Sequence, residues 1–220
     1  MISRVTILLV GLVAAALQLV LLREYLAVFN GNEMVLGLAL AVWLAAGGLG
    51  SALGERSPRM AGPLTGAGVA AALSLLAFVA VRAARIQVVP GDSLSPLAMA
   101  GVIALTTIPL STWAGYLFGG LSAREHSALY SLENAGATAG GLLVWVVVLF
   151  GGSPGILLAV AVLPLALLVH QRRLIWFAIL AVAAAFPVMD RSTQAWKYAR
   201  EPDRVVAGQT GEAAWMVHGS

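Results

Sequence analysis

The chain has 220 residues, of which 60% are hydrophobic and 10% charged, with 24 glycines and no cysteine. Soluble domains carry about 25% charged residues, so a soluble enzyme is excluded, as is intrinsic disorder, which needs low hydrophobicity and high charge. Thirteen basic residues against ten acidic ones leave a formal charge of +3, too sparse for a nucleic-acid surface, and without cysteine there are no disulfides, thiolate metal sites or thiol nucleophiles.

A membrane-crossing helix takes about 20 apolar residues, and the uncharged runs can be read against that length. Val5–Leu22 has 18 residues, Met34–Gly54 has 21 and Met60–Val81 has 22. Ser93–Ala123 is uncharged for 31 residues, its most apolar part lying at about Leu97–Phe118. Asn134–Val169 is uncharged for 36 residues, too long for one span, and Gly151-Gly152-Ser153-Pro154-Gly155 divides it, since Gly and Pro in series favour a turn. Leu174–Met189, with 16 residues, is a marginal seventh segment. The pattern predicts an all-α, polytopic transmembrane bundle of about seven hydrophobic helices over residues 1–189. A short polar tail follows at 190–220, with four basic and four acidic residues. Thirty-one residues are too few for a core of their own, so the tail is expected to dock, to lie on the membrane or to open a further domain.

Arg4, the apolar Val5–Leu12 and Ala14-Ala15-Ala16 have the layout of a secretory leader, but the apolar run continues to Leu22, which favours an uncleaved first helix. Orientation is balanced. An internal N-terminus puts Arg4, Arg56, Arg59, Arg124, Arg172 and Arg173 inside against Arg23, Arg82 and Arg85 in outer loops. Seven spans then add Arg191, Lys197, Arg200 and Arg204 outside, and the positive-inside rule gives no preference.

Gly50 and Gly54, Gly115 and Gly119, and Gly136 and Gly140 each place two glycines on one helix face, extended by Gly47, Gly48 and Gly141. Such faces let helix backbones approach closely in lipid, and intramolecular packing is their simplest use. Arg23-Glu24 stands at the end of the first apolar run and Gly31-Asn32-Glu33 before the second. Either these charges sit at the interface or, because Tyr25–Phe29 continues the apolar pattern, the helix runs on and Arg23 and Glu24 are buried and in need of partners. Glu133 lies almost two turns into a helix starting near Ser127, on one side with Tyr130, Asn134 and Ala137. It is either a carboxylate favoured by the helix start or a group able to pair with Arg23, bind a cation or carry a proton. Gly50-Ser51-Ala52-Leu53-Gly54-Glu55-Arg56-Ser57-Pro58-Arg59 resembles the helix 2–3 loop signature of major facilitator transporters, with Glu55 as the acid and Pro58 where a glycine is usual. His126, His170 and His218 are far apart, without partners at metal-ligand spacing. No phosphate-binding loop, dinucleotide fingerprint or nucleophile elbow occurs. No catalytic residue, cofactor or metal is therefore expected.

Three stretches carry a wider resemblance: Leu21-Leu22-Arg23-Glu24 with Gly31-Asn32-Glu33 and Leu36–Ala39; Ala41-Val42-Trp43-Leu44 through Gly50–Gly54; and Tyr130–Gly136 with Gly140-Gly141. In this order they resemble the membrane-embedded N-terminal region of bacterial spermidine synthase-like proteins, which fuse a transporter-like bundle to a soluble aminopropyltransferase domain. Trp196-Lys197-Tyr198, Arg204–Ala207 and Trp215–Gly219 are similar to short strands that precede the catalytic fold of that family. Its glycine-rich turn and acidic substrate ligands have no counterpart in these 220 residues. The resemblance therefore implies an inner-membrane module that anchors or serves a separate partner, from a split gene, a truncated product or a bundle acting alone. On that reading Glu24, Glu33 and Glu133 face a polyamine-like cation, with Asn134 as neutral partner and Arg23 as counter-charge, since strings of ammonium groups need compensation in low dielectric. Two further readings stay open. One is a small-solute transporter acting as an oligomer and moving about the Gly50–Arg59 hairpin. The other is a structural subunit of a larger membrane complex.

Overall fold

The computed structural model describes residues 2–29, 31, 33–57, 63–86, 94–122, 126–168, 173–194, 205–209 and 214–218. Asn32, Pro58, Arg59 and Trp196-Lys197-Tyr198 lie outside them. The described chain folds into helices α1 (Ile2–Val28), α2 (Glu33–Arg56), α3 (Pro63–Ile86), α4 (Pro96–Ser122), α5 (His126–Leu149), α6 (Pro154–Val162), α7 (Pro164–Leu168) and α8 (Arg173–Gln194). A hairpin follows, β1 (Val205–Gln209) antiparallel to β2 (Ala214–His218), with Val205 opposite His218 and Gln209 opposite Ala214. These strands fall on the tail stretches expected to be extended.

Among the described residues, six helices are long and apolar enough to cross a membrane, and the stretch Pro154–Ala166 is shorter. The expected short member was the seventh segment; the structure reverses this. The last helix reaches Gln194, five residues beyond the expected limit of the hydrophobic part at Met189. The sixth is cut short at both ends by local chemistry. Gly151 takes φ +73°, Ser153 caps α6 by accepting from Ile156 N at 3.4 Å, and Pro154 stands in the first turn, where its missing N–H costs nothing. Leu163 then separates α6 from α7, which opens on Pro164.

Glycine faces dictate the pairing of the long helices. A Cβ on Gly115 would fall on the carbonyl of Gly47, and one on Gly119 on that of Ser51; reciprocally, Gly50 and Gly54 meet the carbonyls of Thr112 and Tyr116. Both series advance by four in the same sense, so α2 and α4 run parallel. The same arrangement joins α1 to α5, where Gly136 and Gly140 meet the carbonyls of Leu8 and Leu12 and Gly11 meets that of Glu133. With no side chain between them, the backbones come close enough for Cα–H···O contacts. At all six glycines of the three pairs an added Cβ would meet the backbone of a neighbouring helix. α2 packs chiefly on α4, and α3 lies against α4 and α8. The Ser111 hydroxyl donates to the Trp43 carbonyl, and Tyr116 Oη donates to the Ser57 carbonyl at 2.7 Å. These bonds fasten the α2–α4 pair near its middle and at the C-terminal end of α2.

The core is built from α1, α3, α4 and α6, through residues such as Val13, Ala16, Leu17, Val20, Ala70, Phe78, Ile103, Leu110, Leu158 and Val162. Alanine at Ala67, Ala70, Ala71 and Ala77 gives α3 a slim inner face and draws it into the centre.

Candidate functional site

In this apolar interior one layer is polar. Glu24 (α1), Arg82 (α3) and Asp190 (α8) each stand four residues before the end of their helix, about 6 Å along the axis at 1.5 Å per residue. All three side chains are at most 2% exposed. The Arg82 guanidinium donates Nε to Glu24 Oε2 at 2.9 Å and Nη2 to Oε1 at 3.3 Å. Its Nη1 donates to the Asp190 backbone carbonyl at 3.1 Å and to Thr193 Oγ1 at 2.8 Å. Nη2 also lies 2.6 Å from Asp190 Oδ1. That contact is off the N–H direction, a Coulombic pairing that leaves Oδ1 without a hydrogen bond. The Phe78 ring closes the other side, 4.0 Å from the guanidinium carbon, and Phe186 packs edge-on against it.

The electrostatics follow from helix direction. The C-terminal ends of α1, α3 and α8 converge, and each carries partial negative charge. A guanidinium is favoured there, and it covers a carbonyl near the end of α8. Asp190 is accommodated because its other oxygen accepts from Gly155 N at 3.2 Å, at the partially positive start of α6. Gly155 is required at that point, since a Cβ would meet Asp190 Cβ and the Phe186 carbonyl. One arginine thus links α1, α3 and α8, with α6 joined through Asp190.

A second polar contact adjoins the first. Tyr25 Oη, buried, lies 2.6 Å from Thr106 Oγ1 and 2.8 Å from Thr107 Oγ1 on α4. Thr106 also donates to the Val102 carbonyl at 2.7 Å.

Of the residues expected to form a cation site, the structure brings few together. The helix does continue past Arg23 and Glu24, as the second of the two readings expected, and Glu24 finds its counter-charge in Arg82 on α3. Arg23 is half-buried. Glu33 is exposed at the start of α2, after the turn formed by Gly31 at φ +72°. The backbone of Glu133 lies beside Gly11, twelve residues before Arg23, or about 18 Å along the helix. The expected pairing of Glu133 with Arg23 is therefore not formed, and Glu24, Glu33 and Glu133 do not share one site. Glu133 and Ala137 are half-buried, whereas Tyr130 and Asn134 are exposed. Asn134 Nδ2 bonds the Tyr130 carbonyl at 3.1 Å. Glu55 and Arg56 are exposed at the end of α2.

Two members of the layer lie elsewhere than the sequence pattern places them. Arg82 was placed in an outer loop and Asp190 in the polar tail, because each ends an uncharged run. The signal that recovers them is the absence of a helix breaker after either one: Ala83-Ala84 and Arg191-Ser192 carry the helical pattern on. Among the described residues no group of three His, Cys, Asp or Glu side chains is placed to hold a metal ion. Comparison with family models, curated proteins and solved structures finds no match.

Proposed function

We propose that this chain is the integral membrane module of a spermidine synthase-like system, set in a bacterial inner membrane, where it anchors or serves a partner. The observation that carries the membrane reading is the outward surface of α2 and α5. Met34, Leu44, Leu49, Leu53, Leu142, Trp145, Leu149 and Phe150 are all more than half exposed, an apolar area of the kind that lipid covers. The anchoring role is supported by the way charges are handled. Glu24 is bound by Arg82, and the other two carboxylates offered for a cation stand apart from it, so the interior resembles a fastened scaffold more than a conduit.

A second reading, a structural subunit of a larger membrane complex, is favoured by one specific feature. Ser131, Asn134 and Thr138 form an exposed polar line on α5, with Ala135 and Ala139 beside them, and polar and small residues of this kind support helix association in lipid. Purification in mild detergent with assay of aminopropyl transfer separates the readings. Co-purifying transferase activity supports the first; a stoichiometric complex without it supports the second. Saturable polyamine uptake into vesicles, lost on Glu133→Gln, overturns both in favour of transport.

A further inference from the structure

The charges of this chain are divided unevenly between the two ends of the bundle. α1 runs parallel to α5, and α2 to α4. The ends of α1, α3 and α8 meet in the charged layer, and Tyr25, near the end of α1, meets the first half of α4. The end opposite that layer therefore gathers the starts of α1, α3, α5 and α8 and the ends of α2 and α4. In sequence these termini and their connections carry Arg4, Arg56, Arg59, Arg124, Arg172 and Arg173 against Glu55 and Glu125, a surplus of four positive charges. Elsewhere seven basic residues stand against eight acidic ones. The formal charge of +3 thus comes wholly from one end. Every basic residue there is an arginine; the one lysine, Lys197, follows α8. A guanidinium holds a phosphate through two parallel N–H bonds, where an ammonium acts as a point charge. Arg4 opens the first membrane-crossing stretch and Arg56 closes the second. Both side chains are exposed, and neither is ion-paired to a described carboxylate, unlike Arg82. Tyr116 Oη donates to the Ser57 carbonyl, so Arg56 stands on a helix end fastened to α4.

We propose that this end of the bundle is a docking surface for anionic phospholipid headgroups, with Arg4 and Arg56 binding phosphate and the remaining surplus charge supplying the surrounding positive field. Basic groups at the membrane boundary attract anionic lipid within a Debye length, about 10 Å at 0.1 M salt. The opposite end, its charges balanced, has no such preference. The surface rests on the membrane placement of the bundle and is independent of which partner the bundle serves.

The test uses the full chain in mild detergent. Thermal unfolding is followed as phosphatidylglycerol or phosphatidylcholine is added to the wild type, to the double variant Arg4→Gln with Arg56→Gln, and to Arg191→Gln, which removes an exposed arginine near the end of α8. The expected result is a saturable rise in Tm with phosphatidylglycerol alone, weakened by high salt, clearly reduced in the double variant and kept in Arg191→Gln. An equal rise with both lipids, a rise unaffected by the double variant, or an equal loss in Arg191→Gln overturns the proposal. So does a rise of the same size with soluble polyglutamate, which assigns the surface to an acidic protein. Co-purifying lipid gives a second reading that does not depend on unfolding. Phosphatidylglycerol enriched over the host membrane, and less so in the double variant, supports the surface; a host-like ratio in both counts against it.

Discussion

Glu24 and Arg82, 58 residues apart, are joined by two hydrogen bonds at 2.9 and 3.3 Å, and neither side chain is more than 1% exposed. Each alone would be an unpaired charge in an apolar interior. Together with Asp190 they form the point where three helices running in one direction and the start of a fourth are fixed relative to one another.

Removing one member of this group should cost far more than removing all of it. Breaking a buried ion pair on one side costs about 3–5 kcal/mol, whereas replacing the whole set by apolar residues of similar volume is often close to neutral. Glu24→Leu is therefore expected to lower stability by several kcal/mol, and the combination of Glu24→Leu, Arg82→Met and Asp190→Leu by less. Denaturant unfolding in detergent gives the comparison; equal or greater loss in the triple variant would contradict it.

Among the described glycines, some face the backbone of a neighbouring helix and others face open space. Gly115→Ala and Gly136→Ala place a methyl on a carbonyl oxygen and must push helices apart, at about 1–3 kcal/mol each. Gly37 and Gly48, on the same α2 that carries Gly50, have open space around the added Cβ. Alanine there should be neutral or gain up to about 1 kcal/mol from helix propensity. Matched thermal melts of the four variants decide.

Tyr25→Phe deletes the hydroxyl that Thr106 and Thr107 share. Thr106 keeps the Val102 carbonyl as a partner, so the loss falls mainly on Thr107 and should amount to about 1–2 kcal/mol. A Tm unchanged from wild type would show that the α1–α4 contact is not held by this bond.

Cysteine labelling should place the start of α1 and the end of α8 on opposite faces. Glu24, Arg82 and Asp190 meet near the ends of α1, α3 and α8, so the broken α6–α7 stretch must return across the bundle despite its length. The absence of native cysteine leaves no background. Ser57→Cys and Ser95→Cys should react with an impermeant maleimide from opposite sides of sealed vesicles, and Ser192→Cys, near the end of α8, should behave like Ser95→Cys. Agreement of Ser192→Cys with Ser57→Cys would remove one crossing.

Much of the fold could be read in the residues, and the exceptions share a physical cause. Gly50, Gly54, Gly115, Gly119, Gly136 and Gly140 announce close helix contacts through spacing alone, because two glycines four apart must lie on one face. Which helix each meets is a tertiary matter that spacing leaves open. The break at Gly151–Gly155 was likewise legible as turn chemistry. Arg82 and Asp190 were not, because counting uncharged runs treats any charge as the end of a buried segment. That holds for a lone charge. A guanidinium and two carboxylates that neutralise one another allow α3 and α8 to continue inward by another turn, and nothing local to either residue reveals the partner. Only the burial of Glu24 hinted that a distant cation had to exist.

The order in which the chain is made gives the glycine pairs and the charged layer a temporal meaning. α1 leaves the ribosome first, yet its close-fitting partner α5 is encoded more than a hundred residues later, and α2 must wait for α4. Neighbours in synthesis are thus not neighbours in the finished molecule, and early helices have to be kept apart or sheltered until their mates arrive. Asp190, near the end of the last helix, acts as a keystone. Until it emerges, Arg82 can hold Glu24 but cannot secure α8 or the start of α6. Closure of the charged layer therefore waits for α8, which is made after every other helix that the layer joins.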